Sequence, residues 1–382
     1  MMLGNADLVE LTALRHALHR APEVSGQEVE TARRIATELS ALNPSELITG
    51  IGGHGVAAVF DSGEPGPAVL FRAELDALPI AEDPHVEWVS ERPGVSHVCG
   101  HDGHMVMLMG LARLIARKPV AKGRVIVLFQ PAEETGAGAR AVIEDPNFAR
   151  IAPDFAFAIH GLPGRPRGYV GTKRGLMNCA SVGLKITLSG KTAHAADPGA
   201  GRSPLPVFAR LAPVLEALGP GGDLDDAFRL VTLTHLSVGE PTFGIAPGEG
   251  VLYATLRTGG DDSLAALEAE IRARVAEEAK TAGLGLEIEE HDRFAASVNA
   301  AEAVGIARQA MDSLGIAHGE EGVPMRASED FGLFGHGAKS AMMCLGVGLD
   351  APALHNPDYD FPDDLIGTGA HLFERIARDL LG

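Results

Sequence analysis

The chain has 382 residues, enough for two domains and a large core, and its 32 basic and 51 acidic residues give a net charge of -19. That balance offers no basic footprint for nucleic acid or an anionic membrane surface, and no stretch approaches the roughly 20 apolar residues of a membrane span. The three cysteines, Cys99, Cys179 and Cys344, are far apart and odd in number, which argues against a disulfide framework and fits a reducing cytoplasm.

The N-terminal stretch MMLGNADLVELTALRHALHR lacks a basic start followed by an apolar run. It reads as an amphipathic helix over about Asp7–Arg20 rather than as a signal peptide. A second helix follows SGQE, where Ser25 and Glu28 have the capping-box spacing, and ends near LNP. In GIGGHGVAAVF, Gly50, Gly52 and Gly55 satisfy G-x-G-x-x-G. A dinucleotide site needs a helix after those glycines, whereas VAAVF reads as a buried strand, so the nucleotide reading is set aside. PAVLFRAE, RVIVLFQP and DFAFAIHG are further short apolar strands, and HMVMLMGLARLIAR is an apolar helix. Strands of this kind alternating with helices predict an α/β domain with a mostly parallel mixed sheet and helices on both faces.

Near Gly175 the texture changes. SVGLKITLSG, FRLVTLTHLSVG and GVLYATLRTG alternate apolar with polar residues, as half-buried strands do, and LGLEIEEHD closes the set. SPLPVFARLAPVLEAL and SLAALEAEIRARVAEEAKTAG are helical, the first with prolines in its opening turn and the second stopped by Gly283. The order strand, helix, strand, strand, helix, strand is the split βαβ order of a small ferredoxin-like α+β sandwich. The α/β texture returns after about residue 296. The expected organisation is a discontinuous catalytic domain, 1–178 and 297–382, interrupted by an α+β domain at 179–296.

Chemistry concentrates in four places. HVCGHDGH packs His97, Cys99, His101, Asp102 and His104 just before the apolar helix, where α/β folds place their ligands. The stretch can equally be a polar capping loop, with Asp102 as the cap. In FQPAEETGAGA, the adjacent Glu133 and Glu134 stand beyond a strand end, so their side chains point in different directions and one carboxylate can bind a metal while the other faces substrate. A solvated Glu-Glu pair opening a helix is the alternative. His160 ends the strand in AFAIHGLP, and His355 lies in the loop ALHNPDYDF; either alone could be an ordinary loop or core histidine. Together, however, these strand ends bring thiolate, imidazole and carboxylate donors to one sheet edge, a set suited to divalent transition metals.

RAELDALPI, HVCGHDGHMVMLMG, FQPAEETGAGA, AIHGLP, SGKTAHAADP, LRTG, ASEDFG and LHNPDYDF, in this order and over nearly the whole chain, resemble the M20 metallopeptidase and amidohydrolase family. The likeness is to its aminoacylase-like branch of hippurate hydrolases, N-acyl-amino-acid amidohydrolases and auxin-conjugate hydrolases. The resemblance implies two divalent metal ions per chain (zinc, manganese or cobalt) and hydrolysis of the amide bond of N-acyl amino acids. It implies that Cys99 bridges the two ions, that His101 and His160 complete one site, and that Glu134 and His355 complete the other. Asp76 in ELDALP would orient a ligand imidazole, and Glu133 would be the general base. His97 and His104 are read as structural or supporting. The inserted domain would act as a lid, pair with its counterpart in a homodimer, and supply His194 from GKTAHAADP to the partner's oxyanion. Hinges are expected near Gly175–Ala180 and Ala295–Asn299. Arg257 matches a substrate-binding position in the lid, though a surface strand arginine is an equal reading.

Some positions depart from the family pattern. Glu74 stands where aspartate is usual, and Gly244 in FGIAP stands where many relatives have an asparagine able to donate a hydrogen bond. Ser181 and Ser203 replace frequent acidic residues. The lid face is therefore atypical of the family; a dipeptidase or carboxypeptidase of the same family, differing mainly in what the pocket accepts, is the alternative function. A non-catalytic binding protein on this fold is the remaining alternative, which the presence of Glu133 and every ligand residue weighs against.

Overall fold

The computed structural model describes residues 2–83, 86–225 and 227–382. In chain order its main elements are α1 (Asn5–His19), α2 (Val29–Ser40), β1 (Glu46–Ile51), β2 (Gly55–Asp61), β3 (Ala68–Glu74), α3 (His101–Arg117), β4 (Arg124–Gln130) and β5 (Phe155–Pro163). Next come β6 (Ala180–Ser189), α4 (Leu205–Ala217), β7 (Arg229–Val238), β8 (Glu249–Thr258), α5 (Asp261–Ala282) and β9 (Gly285–Phe294). The chain ends with α6 (Ala301–Leu314), β10 (Lys339–Gly348) and α7 (Ile366–Leu381). It divides into two compact units, one of residues 1–177, 297–324 and 329–382, the other of residues 178–296 and 325–328.

The first unit is built on an eight-stranded sheet in the order β1-β2-β4-β3-β5-β10, extended by the short strands Val170–Gly171 and His318–Gly319. β3 runs parallel to β4 and β5, and β10 runs parallel to β5, while β1 and β2 are antiparallel. The apolar runs read from sequence become these central strands, and β3 and β4 are buried almost throughout. Alternate residues face opposite ways. Val69, Phe71, Val125, Val127 and Phe157 join the main core with α1, α3 and α7. The stretch after the three glycines is β2, which pairs back on β1 as a hairpin; no helix follows those glycines.

The second unit is a four-stranded antiparallel sheet, β7-β8-β6-β9, with α4 and α5. Its element order is the split βαβ order that the alternating pattern predicts. α5 ends at Gly283, whose φ of 65° is the left-handed C-cap conformation that glycine adopts without steric cost. Residues 325–328, which the sequence reading gives to the catalytic domain, belong with this unit: Cys179 donates its N–H to the Ala327 carbonyl at 3.2 Å.

The helix-start readings need correction at two places. Ser25 and Glu28 form no capping box on α2; its cap comes from Glu23, whose Oε2 accepts the N–H and hydroxyl of Thr31 at 2.8 and 2.9 Å. Asp102 is not a cap either. α3 begins at His101 with Gly100 as its N-cap residue, so Asp102 lies inside the first turn, and its carboxylate instead meets Arg15 and His19, each at 2.9 Å.

Candidate metal centre and catalytic site

The four central parallel strands deliver their C-terminal ends to one edge of the sheet, where open α/β sheets bind their ligands. β3 runs out into Leu75 and Asp76, β4 into the turn of Glu133 and Glu134, and β5 carries His160. Cys99 and His101 sit on either side of Gly100, whose φ of +88° is open to glycine at no steric cost. That turn starts α3 and aims both side chains at the strand ends.

Cys99, His101 and His160 form one group whose ligand atoms all lie within 4.8 Å of one another; Cys99, Glu134 and His355 form a second, and His101, Glu133 and Glu134 a third. Cys99 thus belongs to two groups, and its Sγ lies 3.4 Å from His160 Nε2. Glu134 Oε2 is 3.7 Å from His355 Nε2, and Glu133 Oε2 is 4.0 Å from His101 Nε2.

Hydrogen bonds on the far side of each ring set the tautomers. His101 Nδ1 donates to the Asp76 main-chain carbonyl at 2.8 Å, which turns Nε2 towards the glutamates. His160 Nδ1 donates to the Gly161 carbonyl at 2.8 Å and frees Nε2. Asp76 therefore meets His101 through its backbone, its carboxylate standing 3.7 Å away; that carboxylate accepts from the Ser25 hydroxyl at 2.7 Å and the Glu134 N–H at 3.0 Å.

These donors fit divalent cations. His101 Nε2 and Glu134 Oε1 are buried with no hydrogen-bond partner among the described residues, an arrangement costly without a ligand. Burial, reinforced by Glu134 and Glu133, pushes the Cys99 thiol well above its ordinary pKa, so a thiolate there calls for a cation. Burial holds His160 down to about 3, which keeps its imidazole neutral and ligand-competent. Glu133 is raised well above the usual carboxylate range by burial and by the Glu329 and Glu134 carboxylates, as suits a group that must take up a proton.

The supporting histidines differ. His104 accepts the Gly161 N–H at Nε2 (3.0 Å) and donates from Nδ1 to Glu74 at 2.7 Å, so neither nitrogen is free for a metal. His97 is buried with neither ring nitrogen partnered among the described residues, and burial lowers its pKa to about 3. Glu74, the longer acid in place of aspartate, spans from His104 to Arg72.

Sequence reasoning passed over the residues behind the glutamates. Arg72 is fully buried and pairs with Glu74, with Glu329 at 2.9 Å and with Asp330 at 2.6 Å. Gln130 donates to Asp330 as well, at 2.8 Å. The signal was present: an arginine inside an otherwise apolar strand, AVLFRAE, demands buried partners.

In the second unit, His194 lies on the short strand Ala193–His194, paired with Ile245–Ala246. It is exposed, and its Nδ1 accepts the Ala196 N–H at 3.0 Å, which leaves Nε2 as the N–H donor. The Gly244 carbonyl accepts the Ala195 N–H at 3.0 Å, and a Cβ at 244 would meet nothing within 4 Å among the described residues. Arg257 donates to the Arg326 carbonyl and the Ser328 hydroxyl, both at 2.9 Å and both within its own unit. Ser181 is buried in β6, and Ser203 accepts the Leu205 N–H at 3.3 Å at the start of α4.

The chain is similar to known proteins. The pattern of Peptidase family M20/M25/M40 matches residues 70–379. The chain is 28% identical to a hippurate hydrolase of Campylobacter jejuni over 97% of each chain, and 28% identical to an N-acetylcysteine deacetylase of Bacillus subtilis over 98% of each. A Bacillus subtilis structure described as a dinuclear metal binding peptidase from the M20 family is 26% identical, covers 99% of both chains and superposes with a TM-score of 0.82. With its thiol, imidazole and carboxylate donors gathered at one sheet edge, the chain belongs to Peptidase family M20/M25/M40 and is a metal-dependent hydrolase.

Proposed function

We propose that the protein hydrolyses the amide bond of N-acyl amino acids, releasing a carboxylate and an amino acid. The observation that carries the reading is the buried Glu133 carboxylate, set 4.0 Å from the free Nε2 of His101 beside two donor groups that share Cys99. The relatives named for hippurate and N-acetylcysteine support an N-acyl amino acid as the substrate class.

Cys99, His101 and His160 would hold one divalent ion, and Cys99, Glu134 and His355 the other. Bound there, such ions supply Lewis-acid polarisation of the scissile carbonyl and acidification of water. Glu133 takes the proton of the attacking water at a carboxylate oxygen, holds it there, and returns it to the nitrogen of the leaving amine. Its raised proton affinity suits uptake of the proton from water, and the protonated carboxyl is then the acid that meets the leaving amine. Asp76 keeps His101 and the Glu134 backbone in register, so the two adjacent glutamates present different faces.

His194 is read as the hydrogen-bond donor to the oxyanion, acting on a partner chain within a homodimer formed through the second unit. Its exposure and its free Nε2–H support that role. The test is turnover of a panel of N-acetyl amino acids, N-benzoyl amino acids and dipeptides by metal-loaded enzyme. Cleavage of N-acyl amino acids over dipeptides upholds the reading; cleavage of dipeptides alone overturns it in favour of a peptidase.

A further inference from the structure

The backbone N–H groups on either side of Glu133 are each held by a buried carboxylate. The Ala132 N–H donates to Glu28 Oε1 at 2.8 Å, and the Glu134 N–H donates to Asp76 Oδ2 at 3.0 Å. Both carboxylates depend on the connector between α1 and α2. Glu28 belongs to it, and Ser25 Oγ donates to the same Asp76 oxygen at 2.7 Å. The connector is itself fixed beside the site: Val24 bridges Ala77, and the Ala77 N–H donates to the Glu23 carbonyl at 2.8 Å.

We propose that Ser25 and Glu28 are positioning residues, which clamp the turn at 132–134 and so aim the Glu133 carboxylate. The proposal rests on the reading of Glu133 as general base. Three observations carry it. Ala132 has a φ of +51°, a left-handed conformation that costs a non-glycine residue on the order of 1 kcal/mol and persists only where its surroundings enforce it. The Glu28 carboxylate supplies that enforcement at the Ala132 N–H, and the Gly138 N–H, 3.0 Å from the Ala132 carbonyl, secures the other side. Second, Glu28 is fully buried and its Oε2 has no partner among the described residues, a cost that local stability alone does not repay. Third, neither side chain caps the helix that follows: Glu28 stands at the N-cap of α2, but its Oε1 accepts the N–H groups of Gly26, at 2.9 Å, and Ala132, while the Thr31 N–H of the first turn goes to Glu23. The SGQE spacing therefore serves the strand-end turn across the sheet edge rather than its own helix.

Reach, not charge, is the property at stake, so two conservative variants separate the possibilities in the full-length, metal-loaded enzyme. Glu28→Asp keeps the charge but withdraws the oxygen by one methylene. We expect its kcat to fall by about 10- to 100-fold, the scale of a misplacement near 1 Å, with KM and metal content held within about twofold. Glu28→Gln keeps an acceptor oxygen at full reach and should restore most of that loss. Amide exchange of the segment 131–136, followed by mass spectrometry, should accelerate by at least about tenfold in Glu28→Asp and little in Glu28→Gln, because the Ala132 N–H loses its acceptor only in the former.

Wild-type kcat and exchange in Glu28→Asp, or an equal loss in Glu28→Gln, would overturn the proposal. Should Glu28→Asp fail to fold, Ser25→Ala reads the other arm: a fall in kcat of about 3- to 10-fold with faster exchange upholds the clamp, the lower part of the misplacement scale being expected for one lost hydroxyl, and no change in either overturns it. The exchange measurement does not require Glu133 to be the base. If Glu133→Gln retains turnover while Glu28→Asp still loosens the turn, the mechanism fails and the clamp stands.

Discussion

The Cys99 sulfur lies 3.4 Å from His160 Nε2 and within 4.8 Å of ligand atoms on both Glu134 and His355, so one side chain is common to two donor groups. Replacing it should disturb both. We expect the enzyme to lose activity to chelators and regain it with zinc, manganese or cobalt. Cys99→Ser should bind metal more weakly by at least about tenfold, since a neutral hydroxyl is a far poorer bridge than a thiolate and even the loss of a supporting contact costs about 10–100-fold. Metal content after dialysis at defined free metal measures this. Wild-type affinity in Cys99→Ser would remove the shared role.

The adjacent glutamates should respond differently to the same change. Glu133→Gln is nearly isosteric but cannot accept a proton, so it should keep both metals and the fold while kcat drops by about 10²–10⁴-fold, the usual worth of general acid–base catalysis. Glu134→Gln should lose metal as well as rate. Metal analysis beside steady-state kinetics separates the two, and a drop below about tenfold in Glu133→Gln, well under that range, would exclude it as the base.

The sequence showed the sheet clearly because parallel strands buried on both faces are continuous apolar runs, and VAAVF after the glycines was enough to set aside a nucleotide site. The candidate ligand residues were legible because each is a chemically distinctive side chain at a strand end, a helix start or a loop. What the pattern could not show was long-range pairing. Ser25 and Glu28 have the spacing of a local cap, yet Ser25 pairs with Asp76, 51 residues away, and the Glu28 oxygen that takes the neighbouring Gly26 N–H also takes that of Ala132, 104 residues away. Asp102 likewise looked like a helix cap and is instead a buried partner of Arg15 and His19. Short-range rules see the spacing between two polar residues, but which distant donor reaches them is decided by the sheet topology.

Arg72 offers a test of that buried layer. Its guanidinium faces Glu74, Glu329 and Asp330, all of them nearly or fully buried. Arg72→Met preserves volume but leaves these carboxylates without their cation. Unfolding by urea should show a loss of about 3–5 kcal/mol, the usual cost of removing one partner from a buried ion pair. A loss below about 1 kcal/mol, the level of an exposed pair, would mean that the carboxylates find other compensation.

His19 should make stability fall with rising pH. It is fully buried, and although burial opposes its charge, Asp102 and Glu82 outweigh that and raise its pKa from 6.5 to about 10, with Asp360 and Arg15 also facing the cluster. A pKa raised by folding stabilises the native state fully below the unfolded value, and the benefit is lost as pH climbs through the folded one. The window is therefore about pH 6.5 to 10. The difference in urea midpoint between wild type and His19→Gln should shrink across that window. A difference constant with pH would show that His19 is neutral in the folded protein.

His194 tests whether two chains build one site. Its ring is exposed on the second unit with Nε2–H free to donate, and the proposed acceptor is the oxyanion formed on a partner chain. Chains carrying Glu133→Gln and chains carrying His194→Ala should each be inactive as homodimers. In a heterodimer, the His194→Ala chain keeps its own Glu133 and receives an intact His194 from the Glu133→Gln chain, so one complete site forms, while the other site lacks both groups. Mixing under conditions that exchange subunits should restore turnover towards half the wild-type value per dimer. Subunit exchange itself is verified by differential tagging, and the recovered activity should track the heterodimer fraction. If verified heterodimers stay inactive, His194 acts within its own chain or not in catalysis at all, and the second unit then has no role in completing a neighbour's site.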